Sequence, residues 1–435
     1  MAGAAVPGAG VRVHAAEVLD AVLHRGVSLK ASLASTLPQL ADARDRALLE
    51  AICFSALRGR ARYDRALASW MPRPLGQRDA SLRALLYAGF AQLDPLGLPA
   101  HAALSATVDA ARGLGRSHQA GLVNALLRRA QRDGLPAATP EDVWPAWLLA
   151  ELRTDWPDAV DAITLASERM APQWLRVNGR RLTRAAFARR LADAGIEAAS
   201  SASAPDGLCV PIPVPVDALP GFAEGDVSIQ DGAAQLVADA LAPPSGGRVL
   251  DACAAPGGKS AHLLERDPAL RLVALEIAPA RVARITETFA RLGIGERASV
   301  RAVDALDLGR WWDGVPFDAV LVDAPCSATG IVRRQPDVLL HRRERDIDAL
   351  VALQARLLDT LAGVVAPGGT LLYATCSILR RENSAQVADF LARHPEFALA
   401  PLDARFGRDT GTGHQRLPGD DAMDGFFYAR LVRAA

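Results

Sequence analysis

The stretch RVLDACAAPGGKS, residues 248–260, sets a strand, a turn and a helix start side by side. Val249 and Leu250 continue an apolar run of strand type, and Asp251 closes it. From Cys253 to Gly258 the chain turns on small residues alone, and Lys259 to Leu264 reads as the opening of a helix. Such a turn brings backbone close to a ligand. The pattern is neither GxGxxG nor GxxxxGK(S/T), because Lys259 follows Gly257 and Gly258 without a glycine at the required upstream offset. A phosphate cradle is therefore disfavoured. A cofactor with a carboxylate, an amine and a nucleoside suits the turn better, and a βα turn of no chemical consequence is the plain alternative.

Outward from this stretch, the pattern from about Ser228 onward alternates strands with helices. Apolar runs end in a carboxylate at Val249–Asp251, Leu272–Glu276, Val300–Asp304 and Ala319–Asp323, and the run Gly369–Thr375 ends in Thr-Cys-Ser. Helical segments are expected at Pro279–Leu292 and Arg345–Val365. The fold class is α/β, an open, doubly wound, mostly parallel sheet wrapped by helices. Ligands in such sheets lie beyond the carboxyl ends of the strands, so these polar residues are expected to converge on one crevice.

The front of the chain reads differently. After a tail expected to be mobile to about Gly10, residues 11–133 carry helical periodicity and no strand-like alternation. Leu48, Leu49, Ile52, Cys53, Ala56 and Leu57 share one face, as do Leu82, Leu85, Leu86, Phe90 and Leu93, and then Leu122, Ala125 and Leu126. Cys53 is expected in the core. Gly134–Pro140 reads as a linker, with Thr139 as helix cap and Pro140 at the first helical position. Between the linker and about Gly225 a smaller segment holds a strand at Pro172–Asn178, a helix at Thr183–Ala194 and a Ser/Ala/Pro-rich stretch at Ser200–Pro215; Trp174 is expected in its core. The expected domains are 11–140, all helical; 141–225, a small α+β linking domain; and 226–435, the α/β part.

At 435 residues the chain has room for several cores, and its formal net charge is zero. Residues 1–150 nevertheless hold 17 Lys/Arg against 12 Asp/Glu, a weak pointer to nucleic acid. Arginines crowd the helix ends at Arg58, Arg60, Arg62, Arg65, Arg128, Arg129 and Arg132. They suit helix C-terminal dipoles one by one, and a phosphate backbone as a group. Only two lysines occur, Lys30 and Lys259, which draws attention to the one in the turn. Five scattered cysteines form no CxxC pair, and there is no signal-peptide pattern and no apolar run near the ~18 residues of a membrane span. A cytoplasmic protein with no metal site is expected.

Glu276 lies at the strand end where an acid can hold both ribose hydroxyls, and Asp304 at the next strand end could accept from an adenine amino group. DAPCSATG (323–330) and YATCS (373–377) each place a cysteine just past a strand end, at the edge of the same crevice. A thiol beside a cation or a helix N-terminus can be held as the nucleophilic thiolate.

DACAAPGGK, DAPCSATG and YATCS, with SIQDGAAQ before them, resemble the RsmB/NOP/NSUN family of S-adenosylmethionine-dependent RNA cytosine-C5 methyltransferases. DRALLEAICFSALR and GLVNALLRR resemble the NusB-like helical RNA-binding domain, and the tail HQRLPGDDAMDGFFYARL is similar to the same family. The resemblance implies a Rossmann-like methyltransferase domain that uses S-adenosylmethionine. It implies that Cys253, Ala254, Ala255, Pro256, Gly257, Gly258 and Lys259 cradle the cofactor's methionine part. Glu276 would bind the ribose, Asp304 the adenine side, and Asp323 would face cofactor and target base. Cys376 is the implied nucleophile and Cys326 the thiol that releases product. The pairing of domains implies a cytidine of 16S rRNA as target, that at position 967, in free rRNA or an early small-subunit intermediate, with the enzyme acting as a monomer. Val303 stands where glycine is common before Asp304, and Glu276 where aspartate is frequent. Two other readings stay open: a non-catalytic RNA-binding assembly factor, and a cytosine methyltransferase of DNA type using Cys326.

Overall fold

A computed structural model describes residues 8–435, in two compact units. The first comprises, of the described residues, 8–150 together with Gln335–His341. It is built from helices α1 (Ala9–Arg25), α2 (Leu29–Thr36), α3 (Ala43–Arg58), α4 (Arg60–Trp70), α5 (Ala80–Leu93), α6 (Ala100–Gly113), α7 (Ala120–Asp133) and the short α8 (Pro140–Val143). α5 is buried almost all round, as a central helix must be, and α1, α3, α6 and α7 pack on it. The α3 stripe Leu49, Ile52, Cys53, Ala56 and Leu57 lies in this core, with Leu48 at its edge, and Asp42 caps the helix by accepting from Arg44 N at 2.8 Å. The Thr139 cap with Pro140 forms as expected, closed by Thr139 N donating to Asp142.

Two expectations shift here. Helix α1 already begins at Ala9, so the tail does not run to Gly10, and its first seven residues lie outside the described ones. In α7 the buried face is Val123, Leu126, Leu127 and Ala130, whereas Ala125 is exposed; a hydrophobic run with alanine on both sides leaves the phase of the stripe ambiguous. The unit also takes in the remote segment 335–341. Asp337 accepts from Leu29 N at 3.1 Å, the first helical residue of α2, and Leu340 packs against the helical core.

The second unit, residues 151–334 and 342–435, contains two sheets. The smaller is antiparallel, in the order β2 (Ala199–Ser200), β3 (Gly207–Val210), β1 (Gln173–Val177), β4 (Val227–Ile229). α9 (Ala146–Asp155) and α10 (Val160–Glu168) precede it, and α11 (Arg184–Asp193), capped by Thr183, packs Phe187 and Leu191 on Leu175, Val177 and Leu208. All of β1 is buried because its other face, with Trp174, joins the core of the larger sheet.

That larger sheet holds β5 (Arg248–Asp251), β6 (Arg271–Glu276), β7 (Ala298–Ala302), β8 (Phe317–Asp323), β9 (Val365–Thr375), β10 (Phe397–Ala400), β11 (Arg408–Asp409), β12 (His414–Arg416) and β13 (Phe426–Arg433). The order is β11-β12-β13-β9-β8-β5-β6-β7, with β10 on β13; β5 to β9 run parallel and β13 is antiparallel to β9. Helices α12 (Gly232–Gln235), α13 (Val237–Leu241), α14 (Gly258–Arg266), α15 (Pro279–Leu292), α16 (Leu308–Trp311), α18 (Glu344–Ala362) and α19 (Ser384–Arg393) surround it, while α17 (Val338–His341) belongs to the helical unit. The unbroken apolar runs have a simple cause. Val249, Ala319 and Leu321 enter one core and Leu250, Val320 and Val322 the other, so both faces need apolar residues.

The chain leaves β5 for β6 and β7, then returns past β5 to β8 and β9, so the strand order switches between β5 and β8. Two boundaries differ from the sequence reading. β7 ends at Ala302, two residues before Asp304, and Val365 opens β9 instead of closing α18.

Candidate active site

The turn after β5 sits at the switch point. Gly257 has φ +96°, and a Cβ there would meet Ile285 Cγ2 at 3.2 Å and Phe289 Cε1 at 3.4 Å, both on α15. Its glycine answers to backbone conformation and to helix packing, whereas a Cβ on Gly258 meets only Gln230 at ordinary van der Waals distance. Gly257→Val is expected to lower the unfolding free energy by about 2 kcal/mol or more, from left-handed backbone strain plus the clash with α15. Denaturant unfolding of the full chain checks it, with Gly258→Ala as the milder comparison.

Asp251 is almost fully buried and accepts from Ser260 Oγ, while its Oδ1 has no hydrogen-bond partner. Burial raises its carboxyl to about 6, against the opposing hydrogen bond from Ser260. Lys259 reaches over the turn to Asp323 at the end of β8, Nζ to Oδ2 2.5 Å, and lies 5.3 Å from the Phe426 ring centroid. Burial would lower the Lys259 ammonium, but the Asp323 carboxylate and its hydrogen bond raise it net, with Cys376 and Asp251 adding in the same sense. This is one electrostatic cluster drawn from β5, β8, β9 and α14.

Cys326, three residues past β8, and Cys376, the residue after β9, stand Sγ to Sγ at 3.4 Å. The parallel register Asp323↔Ala374 brings the two loops together, and Gly330 N donates to Cys376 O at 2.9 Å. Gly330 is packed so closely on Gly425 O and Cys376 O that a Cβ would stand 2.5 and 2.7 Å from them. The hydrogen bond to Cys376 and burial hold the Cys326 thiol well above the ordinary thiol range. Cys253 is pushed up too, by burial and then by Asp251.

Glu276 is buried at the end of β6; Oε1 accepts from Ala278 N at 3.0 Å and Oε2 pairs with Arg281 at 3.0 Å. Arg281 also donates to Ala255 O in the small-residue turn, tying the two strand ends together. Asp304 accepts from Leu306 N at 2.9 Å, and Val303 N donates to Glu276 O, so the β7 end is hung from the β6 end. Lys259, Asp323, Cys326 and Cys376 thus form one cluster, with Cys253 and Glu276 around the turn and Asp304 further along the same edge.

Sequence reasoning passed over Asp251, Arg281, Arg176 and Glu382. Asp251 closes a strand like its neighbours, and strand-end position was its available signal. Arg176 on β1 donates to Gly258 O at 2.7 Å and pairs with Glu265 of α14, a link across 82 and 89 residues that no local pattern reveals. Glu382 sits in an Arg-Arg-Glu run that looks like surface, yet it is wholly buried.

The arginines at the helix ends are largely engaged within their own unit. Arg62 pairs with Asp94, Arg65 with Asp142, and Arg129 and Arg132 with Asp133.

Comparison with known proteins agrees with this architecture. Residues 238–432 match the family model of the 16S rRNA methyltransferase RsmB/F, residues 144–217 that of the RsmF/B-like ferredoxin-like domain, and residues 10–132 the NusB family. Ribosomal RNA small subunit methyltransferase B of Xanthomonas campestris pv. campestris is 57% identical over 431 residues, 99% of each chain. The chain belongs to the RsmB/F methyltransferase family. Ribosomal RNA small subunit methyltransferase B of Xylella fastidiosa is 54% identical over 97% of each chain. Among solved structures, a methyltransferase homolog protein from Pyrococcus horikoshii is 26% identical with a TM-score of 0.56, covering 66% of this chain and 99% of that one. This RsmB/F member therefore joins a NusB-like helical domain, a ferredoxin-like domain and a Rossmann-like methyltransferase domain.

Proposed function

We propose that this RsmB/F member transfers a methyl group from S-adenosylmethionine to C5 of a cytidine in 16S rRNA, with Cys376 as the nucleophile. The observation that carries the reading is the pair of thiols 3.4 Å apart beside the Lys259–Asp323 ion pair. C5 of cytosine is a poor nucleophile. Addition of the Cys376 thiolate to C6 makes C5 enamine-like. Asp323 would hold the base by accepting from its N4 amino group, and the Lys259 ammonium paired with it offsets the negative charge that develops in the ring. Once C5 carries the methyl group, Cys326 assists removal of the C5 proton, the C6–S bond breaks, and Cys376 leaves as thiolate.

The donor set fits S-adenosylmethionine, which supplies an electrophilic methyl on a sulfonium. Asp251, buried with a free acceptor oxygen, suits an α-ammonium, and the turn Cys253–Lys259 would hold the methionine part. Glu276 retains acceptor capacity for ribose hydroxyls beside its bonds to Ala278 and Arg281, and Asp304 would meet the adenine side. The target base must leave any stack, so an unpaired cytidine is expected, and the reading extends to position 967. Residues 11–140 would bind RNA, 141–225 link, and 226–435 catalyse, in a cytoplasmic monomer acting on free 16S rRNA or an early small-subunit intermediate. Bisulfite mapping of 16S rRNA from a deletion strain, with and without the restored gene, tests the target. Unchanged methylation on deletion would overturn it.

The Asp251 assignment predicts a proton linkage. Its folded carboxyl, at about 6, keeps its proton to higher pH than the ordinary 3.8. Ionising it as pH rises through that window therefore works against the fold, and the penalty is complete above about 6. A bound ammonium favours the carboxylate. Binding of S-adenosylmethionine near pH 5.5 should then release a proton, and affinity should climb with pH to about 6 and level off. Calorimetry in buffers of different ionisation enthalpy measures this; buffer-independent heats would remove Asp251 from the cofactor site.

A further inference from the structure

Each catalytic cysteine of the proposed reaction is followed by a serine, and one carboxylate holds both. Glu382 lies in a short helical turn, Arg380–Glu382, after β9 and is wholly buried. Its Oε2 accepts from Ser327 Oγ at 2.5 Å and from Ser377 Oγ at 2.5 Å. Its Oε1 accepts from Ser327 N at 2.8 Å and from Gln354 Nε2 at 3.1 Å. Gln354, on α18, also donates to Pro325 O at 2.9 Å, the residue before Cys326. Tyr373 OH donates to the Glu382 carbonyl at 2.6 Å, so the main chain that carries the carboxylate is itself fixed to β9.

A buried carboxylate is costly unless its oxygens are satisfied, and apolar packing could hold two turns together more cheaply. A carboxylate supplies what apolar packing does not, a rigid four-sited acceptor that sets two hydroxyls and a backbone amide in fixed relation. We propose that Glu382 is a positioning residue of the reaction, setting the separation of the Cys326 and Cys376 thiols through Ser327 and Ser377. The proposal rests on the thiol reading above. It also explains the acid itself: an amide in its place must turn its NH₂ either toward the two serine hydroxyls or toward Ser327 N and Gln354 Nε2. The second orientation sets donor against donor, and the first forces both hydroxyls to reverse.

The test compares Glu382→Gln with the wild-type full chain by two measurements. The first is closure of the Cys326–Cys376 disulfide by diamide, which takes up both thiol hydrogens as it is reduced to the hydrazine, followed by peptide mass mapping. The second is steady-state methyl transfer. Disulfide closure is expected to slow by about tenfold, and kcat to fall by about 100-fold while KM for RNA and for S-adenosylmethionine stays within about twofold. Wild-type closure, or wild-type kcat, overturns the proposal. Should Glu382→Gln not fold, Ser327→Ala combined with Ser377→Ala removes the two hydroxyl links and is held to the same criteria. The disulfide measurement needs no RNA. If Cys376→Ala proved fully active, the thiol reading would fall, while the closure rates would still report whether Glu382 sets the distance.

Discussion

Cys376→Ala is expected to lose methyl transfer by on the order of 10⁴-fold or more and to form no covalent RNA complex. Cys326→Ala is expected to behave differently. It can still add Cys376 to C6 and accept the methyl group, but it releases product slowly. It should therefore accumulate a protein–RNA species that survives denaturing electrophoresis, and only when S-adenosylmethionine is present. The distinction follows from the site. The two thiols stand 3.4 Å apart, so one can hold C6 while the other reaches the proton on C5. The DNA-type assignment predicts the reverse, trapping in Cys376→Ala and none in Cys326→Ala. Full activity in both variants would exclude thiol catalysis.

The cysteines were legible because each closes a strand whose apolar run is unmistakable, and the strand ends of a doubly wound sheet converge. Glu276 and Asp304 were singled out by the same rule, although β7 stops at Ala302 and leaves Asp304 in a turn. What the sequence leaves out is who touches whom. The turn alone does not reveal that the Lys259 ammonium pairs with Asp323, 64 residues on. Gly257 is legible as one of the small residues of the turn, whereas its neighbour Ile285 on α15 is named by no periodicity. Glu382 carries no signal at all beyond its distance from Ser377, because an acid beside two arginines reads as surface charge. The arginines of the helical unit show the converse: a basic cluster in sequence is largely a set of internal ion pairs and carbonyl contacts once folded.

Arg176→Met is expected to cost about 3–5 kcal/mol of stability, because it strands a buried carboxylate. Arg176 is fully buried on β1, and its guanidinium meets Glu265 of α14 in a two-pronged pair, Nε to Oε2 and Nη2 to Oε1, both 2.9 Å. Its remaining nitrogen donates to Gln230 Oε1 and to the carbonyl of Gly258, the first residue of α14. The same helix is held from outside the sheet by His262 and Arg266, both on Asp206. The pair and the carbonyl contact can be separated. Replacing both partners, Arg176→Met with Glu265→Leu, removes the stranded charge and should recover most of the unfolding free energy, as buried pairs exchanged for apolar residues commonly do. It does not restore the donor to Gly258 O, so the turn that opens α14 stays unanchored. Affinity for S-adenosylmethionine should therefore remain about tenfold or more below wild type in the double variant, although its stability returns. Denaturant unfolding and calorimetric titration on the same preparations separate the two effects. Full recovery of affinity together with stability would mean that Arg176 acts on α14 through Glu265 alone, and that its hold on the Gly258 carbonyl is without consequence for the cofactor.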